Sequence, residues 1–233
     1  MPLVKTPTAK QFFQTMQIDA GRRAHLGNPE AFPAQPATSL TKLHAVMADA
    51  VKRADALEWD KTRTPAQQHN AGRKLAEATV AEIKKSRAAL KKWADDETAA
   101  GMAEVEETLE PEAGKSALMS ELRSFLRSKS GDADFQAKLR GLVETDLRYA
   151  AAIGSAPAEL SGLSSDRAAK LRIYAAAAHA PEASKRVAVA QEVAALDAKL
   201  AAVEAEVAPS FYNAGIEAGM ASAVDISAPL GGE

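Results

Sequence analysis

Six apolar residues near the C-terminal end, Val189, Val193, Leu196, Leu200, Val203 and Val207, are spaced by 4, 3, 4, 3 and 4 positions. A helix is the regular structure that gathers such a series on one side, and the 3.5-residue average lays that side along a second helix. Alanines at 188, 190, 194, 195, 198, 201, 202 and 205 flank the seam, so a partner backbone can come close. The seam spans fewer than three heptads, short for a free coiled coil. Its expected partner is the preceding segment, 165–179, joined through three residues or fewer, with Leu171, Tyr174 and Ala178 facing it in an antiparallel hairpin. A second copy of the chain is the alternative partner.

The rest of the chain carries the same period. Leu40, Leu43, Met47, Ala50, Ala54 and Leu57 predict a helix over 38–58, begun by Thr38 or Ser39. Thr64-Pro65 supplies a cap and a first-turn proline for a helix over 65–99, with Leu75, Ala76, Val80, Ile83, Leu90 and Trp93 on one stripe. Further helices are predicted over 115–128, 132–153, 165–179 and 182–208, the last stopped by Pro209, with a short seventh over 211–221. Gly101 and Pro111 bound an acidic stretch, 95–112, that reads as a frayed helix end and a loop. No segment alternates with a period of two. The expected class is therefore all-α, a multi-helix bundle with a C-terminal antiparallel hairpin.

Residues 1–37 read as an extended arm, because prolines 2, 7, 29, 33 and 36 interrupt it and leave room for one short helix near 9–18. Phe12, Phe13, Met16, Ile18, Leu26 and Phe32 lie in this arm and must be covered by the body or by a neighbour. Ordering such a segment costs about 1–2 kcal/mol per residue, so it is expected to wait for a partner surface and to be dispensable for the fold of the body. The organisation read from sequence is an arm (1–37), a helical body (38–221) and an extended tail (222–233).

Specific chemistry finds little footing. The chain has no cysteine, which excludes disulfides, thiolate metal sites and cysteine nucleophiles. His25, His44, His69 and His179 are never three or four apart, and no Glu-x-x-His pair of a di-iron bundle occurs. Gly114-Lys115-Ser116 looks like the end of a phosphate-binding loop, but Leu109 stands where the first glycine belongs. No Gly-x-Ser-x-Gly is present. No catalytic residue, metal or organic cofactor is expected. The start, Met1-Pro2-Leu3-Val4-Lys5, lacks the apolar run of a secretory leader, and no apolar run approaches the roughly 20 residues of a membrane span. The expected location is cytoplasmic, or a virion for a protein of phage origin.

Net charge is −2. Arg73, Lys74, Lys84, Lys85, Lys91 and Lys92 form an outward basic ridge, followed by an acidic run of Asp95, Asp96, Glu97, Glu104, Glu106, Glu107, Glu110 and Glu112. Nucleic-acid binding would need stacking aromatics or a recognition helix beside the ridge, and neither is interleaved. One positive and one negative patch on the same chain suit head-to-tail association. Together these features point to a non-enzymatic structural protein that assembles into an oligomer and docks on other structural proteins. The expected interface residues are Phe12, Phe13, Ile18 and Phe32 of the arm, with Val189, Val193, Leu196, Leu200, Val203 and Val207 of the seam. Tailed-phage head–tail adaptors and capsid-associated proteins share this general build. A cytoplasmic helical scaffold, regulatory or chaperone-like protein is the alternative. In a gel-shift titration the ridge should give no sub-micromolar binding to nucleic acid; binding that weakens steeply between roughly 50 and 200 mM salt would show that the ridge has been misread.

Overall fold

Helix follows helix through the chain, and no strand occurs among the described residues. The computed structural model describes residues 3–111 and 113–220. The helices are α1 (Pro7–Gln17), α2 (Asp19–Leu26), α3 (Ala34–Trp59), α4 (Pro65–Leu109), α5 (Ser116–Ser128), α6 (Ala133–Thr145), α7 (Leu147–Gly154), α8 (Ser165–His179), α9 (Pro181–Phe211) and α10 (Ala214–Glu217), with 3-10 turns at Pro29–Ala31, Ala158–Ser161 and Ala218–Met220. The all-α class is as expected. The chain divides into two compact units, Met1–Lys92 with Val193–Glu233, and Trp93–Glu192. The helices α4 and α9 each contribute to both.

Local chemistry explains the helix starts. Thr64 and Gln67 form a reciprocal capping box ahead of α4: the Thr64 N–H donates to Gln67 Oε1 at 2.9 Å, and the Gln67 N–H donates to Thr64 Oγ1 at 3.3 Å. Pro65 follows in the first turn, where its missing N–H costs nothing. Asp132 caps α6 by accepting the Phe135 N–H at 3.0 Å, and Ser164 does the same for α8 through Arg167.

The expected extended arm is mostly helix. Thr6 caps α1 by accepting the Ala9 N–H, and Pro7, read as a breaker, occupies the first turn. The chain then reverses at Ile18 into α2. Arg22 Nη1 donates to the carbonyls of Met16 and Gln17 at 2.7 and 2.9 Å, closing the open end of α1. Glycine is required at position 21, because a Cβ there would meet the Thr15 carbonyl. Prolines therefore punctuate this region into short helices. Phe12, Phe13, Met16 and Leu26 are buried within the first unit. Phe13 and Phe12 pack against Phe211 of α9 at ring-centroid distances of 5.4 and 6.2 Å.

Other helix limits also differ from expectation, and α3 begins at Ala34, four residues before the expected start. The acidic stretch does not fray: α4 continues to Leu109, because Val105 and Leu109 join the core of the second unit. Gly101 serves there as a close approach, since an added Cβ would strike Val187 and crowd the Ala183 carbonyl of α9. The segment 132–153 is two helices, split at Asp146, whose carboxylate accepts the Arg148 N–H and caps α7. Pro209 does not stop α9; the helix runs on to Phe211, whose burial outweighs the one backbone bond the proline forfeits. The seventh helix is only the turn α10 with its 3-10 extension, and the tail 222–233 lies outside the described residues.

In the second unit, α8 packs on α6 and α7 around Leu126, Leu139, Val143, Ile153 and Leu171. The short α7 is held at its carboxyl end by two arginines. Arg123 donates to the Ala152 carbonyl at 3.0 Å, and Arg172 donates to those of Ile153 and Ala156 at 3.2 and 2.6 Å. Phe13→Ala, which removes a ring packed on Phe211, should cost about 3–5 kcal/mol and lower the melting temperature by about 10 °C. Ile18→Ala, at a position 58% exposed, should shift it by a degree or two; similar losses from both variants would contradict this packing.

Candidate functional site

The seam on α9 was the leading candidate surface, and the structure places its residues inside the chain. Val193, Leu196, Leu200, Val203 and Val207 are buried, and Val189 is half-buried. Their neighbours come from the N-terminal helices: Leu196 lies against Gly27, and Val203 shares a groove wall with Phe12 and Met16. Leu171 and Tyr174, expected to face the seam, belong instead to the core of the second unit, and Ala178 is exposed. Of the arm residues named as interface, Phe12 and Phe13 are buried, Phe32 is half-buried and Ile18 is exposed. The structure thus brings together Phe12, Phe13 and the seam, and leaves Ile18 outside.

Beside the seam runs a fork of charge. Arg87 on α4 donates from Nε and Nη2 to both carboxylate oxygens of Asp197 at 2.8 and 3.0 Å, and from Nη1 to Glu204 at 2.6 Å. Lys84 stands 3.6 Å from Glu204. Hydrogen bonding by Arg87 holds the Asp197 carboxyl below the usual carboxylate range. In the second unit Arg186 pairs with Glu97 and Glu104 at 3.4 and 3.0 Å. Part of the basic ridge and part of the acidic run are therefore neutralised within the chain by α9.

A shallow groove of about 250 Å³ opens between α1, α2 and α9, lined by Thr8, Gln11, Phe12, Thr15, Met16, His25, Ala202, Val203 and Glu206. Gly114 turns through a left-handed conformation, φ 87°, just ahead of α5. Among the described residues no group of three or more His, Asp or Glu could hold a metal ion, and no helix is long and apolar enough to cross a membrane.

Three of the histidines have structural partners. His44 Nε2 lies 2.9 Å from the Gly27 carbonyl, which ties α3 to the end of α2. His179 Nε2 lies 2.8 Å from the Val143 carbonyl. His69 Nδ1 accepts the Asn213 N–H at 3.0 Å. Burial lowers the pKa of both His44 and His69.

Trp59 is the residue that sequence reasoning passed over. It ends α3 and is 67% exposed. It lies two positions past Leu57, about 200° around the helix, so the phase of the α3 stripe already pointed it outward. The turn that follows is braced. Asp60 accepts the Thr62 N–H at 3.0 Å and the Thr62 hydroxyl, pairs with Arg63 at 2.9 Å, and its carbonyl accepts Gln68 Nε2 at 2.9 Å. These Thr62 bonds hold the Asp60 carboxyl below its ordinary range. An open polar groove lined by Thr62, Arg63, Gln67, Asn70, Ala71 and Lys74 adjoins the turn.

No protein-family model, no curated protein and no solved structure matches the chain.

The fork around Arg87 yields a pH-dependent expectation. Asp197 has a depressed pKa in the folded chain, so its stabilisation is present above the ordinary carboxylate range and is lost as the pH falls through that range and below. Asp197 is about half exposed, which screens the pair. Arg87→Met should cost about 1 kcal/mol near neutral pH and clearly less near about pH 3. Denaturant unfolding at the two pH values measures this, and an equal cost at both would mean the fork contributes only packing.

Proposed function

We propose that the chain is a non-enzymatic assembly protein that associates with copies of itself through the braced Trp59 tip. The observation that carries this reading is a tryptophan two-thirds exposed at the end of α3, immediately before a turn fixed by three hydrogen bonds and an ion pair. Tryptophan is the side chain most enriched at energetic hot spots, and a turn already held rigid loses little freedom when it docks. The occupant is argued from charge. Exposed Lys61 and Lys74 lie in and beside the braced turn, while exposed Glu106 and Glu107 stand near the end of α4 and Glu110 just past it. Basic tip against acidic helix end is a heterologous contact between two copies, the geometry of rings and filaments.

This replaces the earlier expectation for the interface. Phe12, Phe13, Val193, Leu196, Leu200, Val203 and Val207 are buried within the chain, so the proposed interface moves to the exposed Trp59. The comparison with tailed-phage adaptors rested on two irregular arms, and the N-terminal one is folded into the body, so that source is not carried forward.

Oligomeric mass against concentration tests the proposal. The full chain should form a species larger than a monomer at micromolar concentrations. Trp59→Ala should weaken association by about 2 kcal/mol, roughly thirtyfold in Kd, with no loss of thermal stability. Reversing Glu106 and Glu107 to lysine should also weaken it. A chain that stays monomeric up to about 100 μM, where a contact of 5.5 kcal/mol would already show, overturns the reading.

A further inference from the structure

The buried histidines differ in one chemical respect that separates their behaviour on acidification. At His44 the ring faces a carbonyl, which only accepts, so the ring nitrogen must donate. Protonating the other nitrogen leaves that bond intact. At His69 the partner is the backbone N–H of Asn213, which only donates, so Nδ1 must carry a lone pair and the proton must sit on Nε2. Protonation consumes that lone pair and sets two donors against each other at 3.0 Å.

Asn213 stands at the joint between α9 and α10. Its side chain accepts the N–H groups of Gly215 and Ile216, so it also begins α10. A further tie holds this end: Glu217 accepts Asn70 Nδ2 at 2.9 Å and Arg73 Nε at 3.3 Å. One turn along α4 from His69, Gly72 lies tight against Phe211 and Tyr212. The joint is therefore a hinge between a firmly buried residue, Phe211, and a four-residue turn with no buried side chain.

We propose that His69 and Asn213 form a proton-operated latch: the neutral imidazole holds α10 on α4, and protonation of the ring releases it. The charged and titratable groups on the surrounding elements are Arg73 on α4, Glu217 on α10, Tyr212 at the joint, Lys5 paired with Glu58 at the end of α3, and Asp60 with Arg63 in the preceding loop. Burial lowers the His69 pKa, which favours the neutral, accepting ring. The direction of the pH effect follows. A base whose folded pKa is depressed contributes stability that is complete above its ordinary value, about 6.5, and is lost as pH falls from there through its folded pKa. The latch is thus closed at neutral pH and opens in the mildly acidic range.

Hydrogen exchange of the Asn213 amide in the full chain reads the latch directly. Its protection factor should fall at least tenfold between about pH 7.5 and pH 5, while amides in the middle of α9 keep theirs. Imidazole nitrogen shifts of His69 in the unmodified protein should show the Nε2–H tautomer at neutral pH. His69→Gln, whose Oε1 can accept the same bond without titrating, should keep the amide protected at both pH values. Glu217→Gln should leave the pH response in place. An Nδ1–H tautomer, protection that does not change with pH, or a pH response that survives in His69→Gln or vanishes in Glu217→Gln would each overturn the proposal.

Discussion

The apolar seam of α9 cannot remain in water, and burying it is the constraint on which the first unit depends. Leu200 and Val207 are fully enclosed, and Leu196 and Val203 nearly so. Closure falls to the N-terminal helices. Phe12 packs edge-on and Phe13 at a tilt against Phe211, and Gly27 accepts the tip of Leu196 where a larger residue would crowd it. Residues nearly 200 positions apart thus complete each other's core. Neither the first thirty residues nor the last third of α9 has another place in the described structure to hide its apolar side chains.

Charge follows the same logic. The fork of Arg87 on Asp197 and Glu204 and the pairing of Arg186 with Glu97 and Glu104 each tie α4 to α9 within one unit. Partly exposed pairs of this kind add little stability, but they discriminate between registers, because a one-turn shift along α9 would part Arg87 from its carboxylates and set it against alanine, valine or leucine. Register matters most where side chains are small. The alanine stripe that flanks the seam would tolerate several alignments by packing alone, since alanine offers little shape to interlock.

Much of the helical architecture was legible in the residues. The Thr64-Pro65 start, the break between 128 and 132 and the limits of α8 all came from caps and stops whose chemistry is local. The class followed from period alone. What was not legible depended on distant contacts. Proline at position 7 reads as a breaker until Thr6 is seen to cap the helix it begins. Gly101 reads as a stop until α9 is seen to pass against it. Pro209 ends a helix in isolation, yet Phe211 has a pocket that draws the backbone onward. Neither the split at Asp146 nor the identity of the seam's partner could be read from spacing, since Asp146 also fits mid-helix and several helices carry a matching face. The candidate site fared similarly: the seam was visible as a surface needing cover, its cover was not, and Trp59 was readable only from its phase on α3.

Removing residues 1–33, which leaves α3 whole, tests the central point most directly. If α1 and α2 close the seam, the truncated chain should lose its cooperative thermal transition in the first unit and expose apolar surface to a reporter dye, with helical content falling by more than the residues removed. A truncated chain that keeps its melting temperature and binds no dye would show that α9 is buried without them, and the N-terminal segment would return to being an arm.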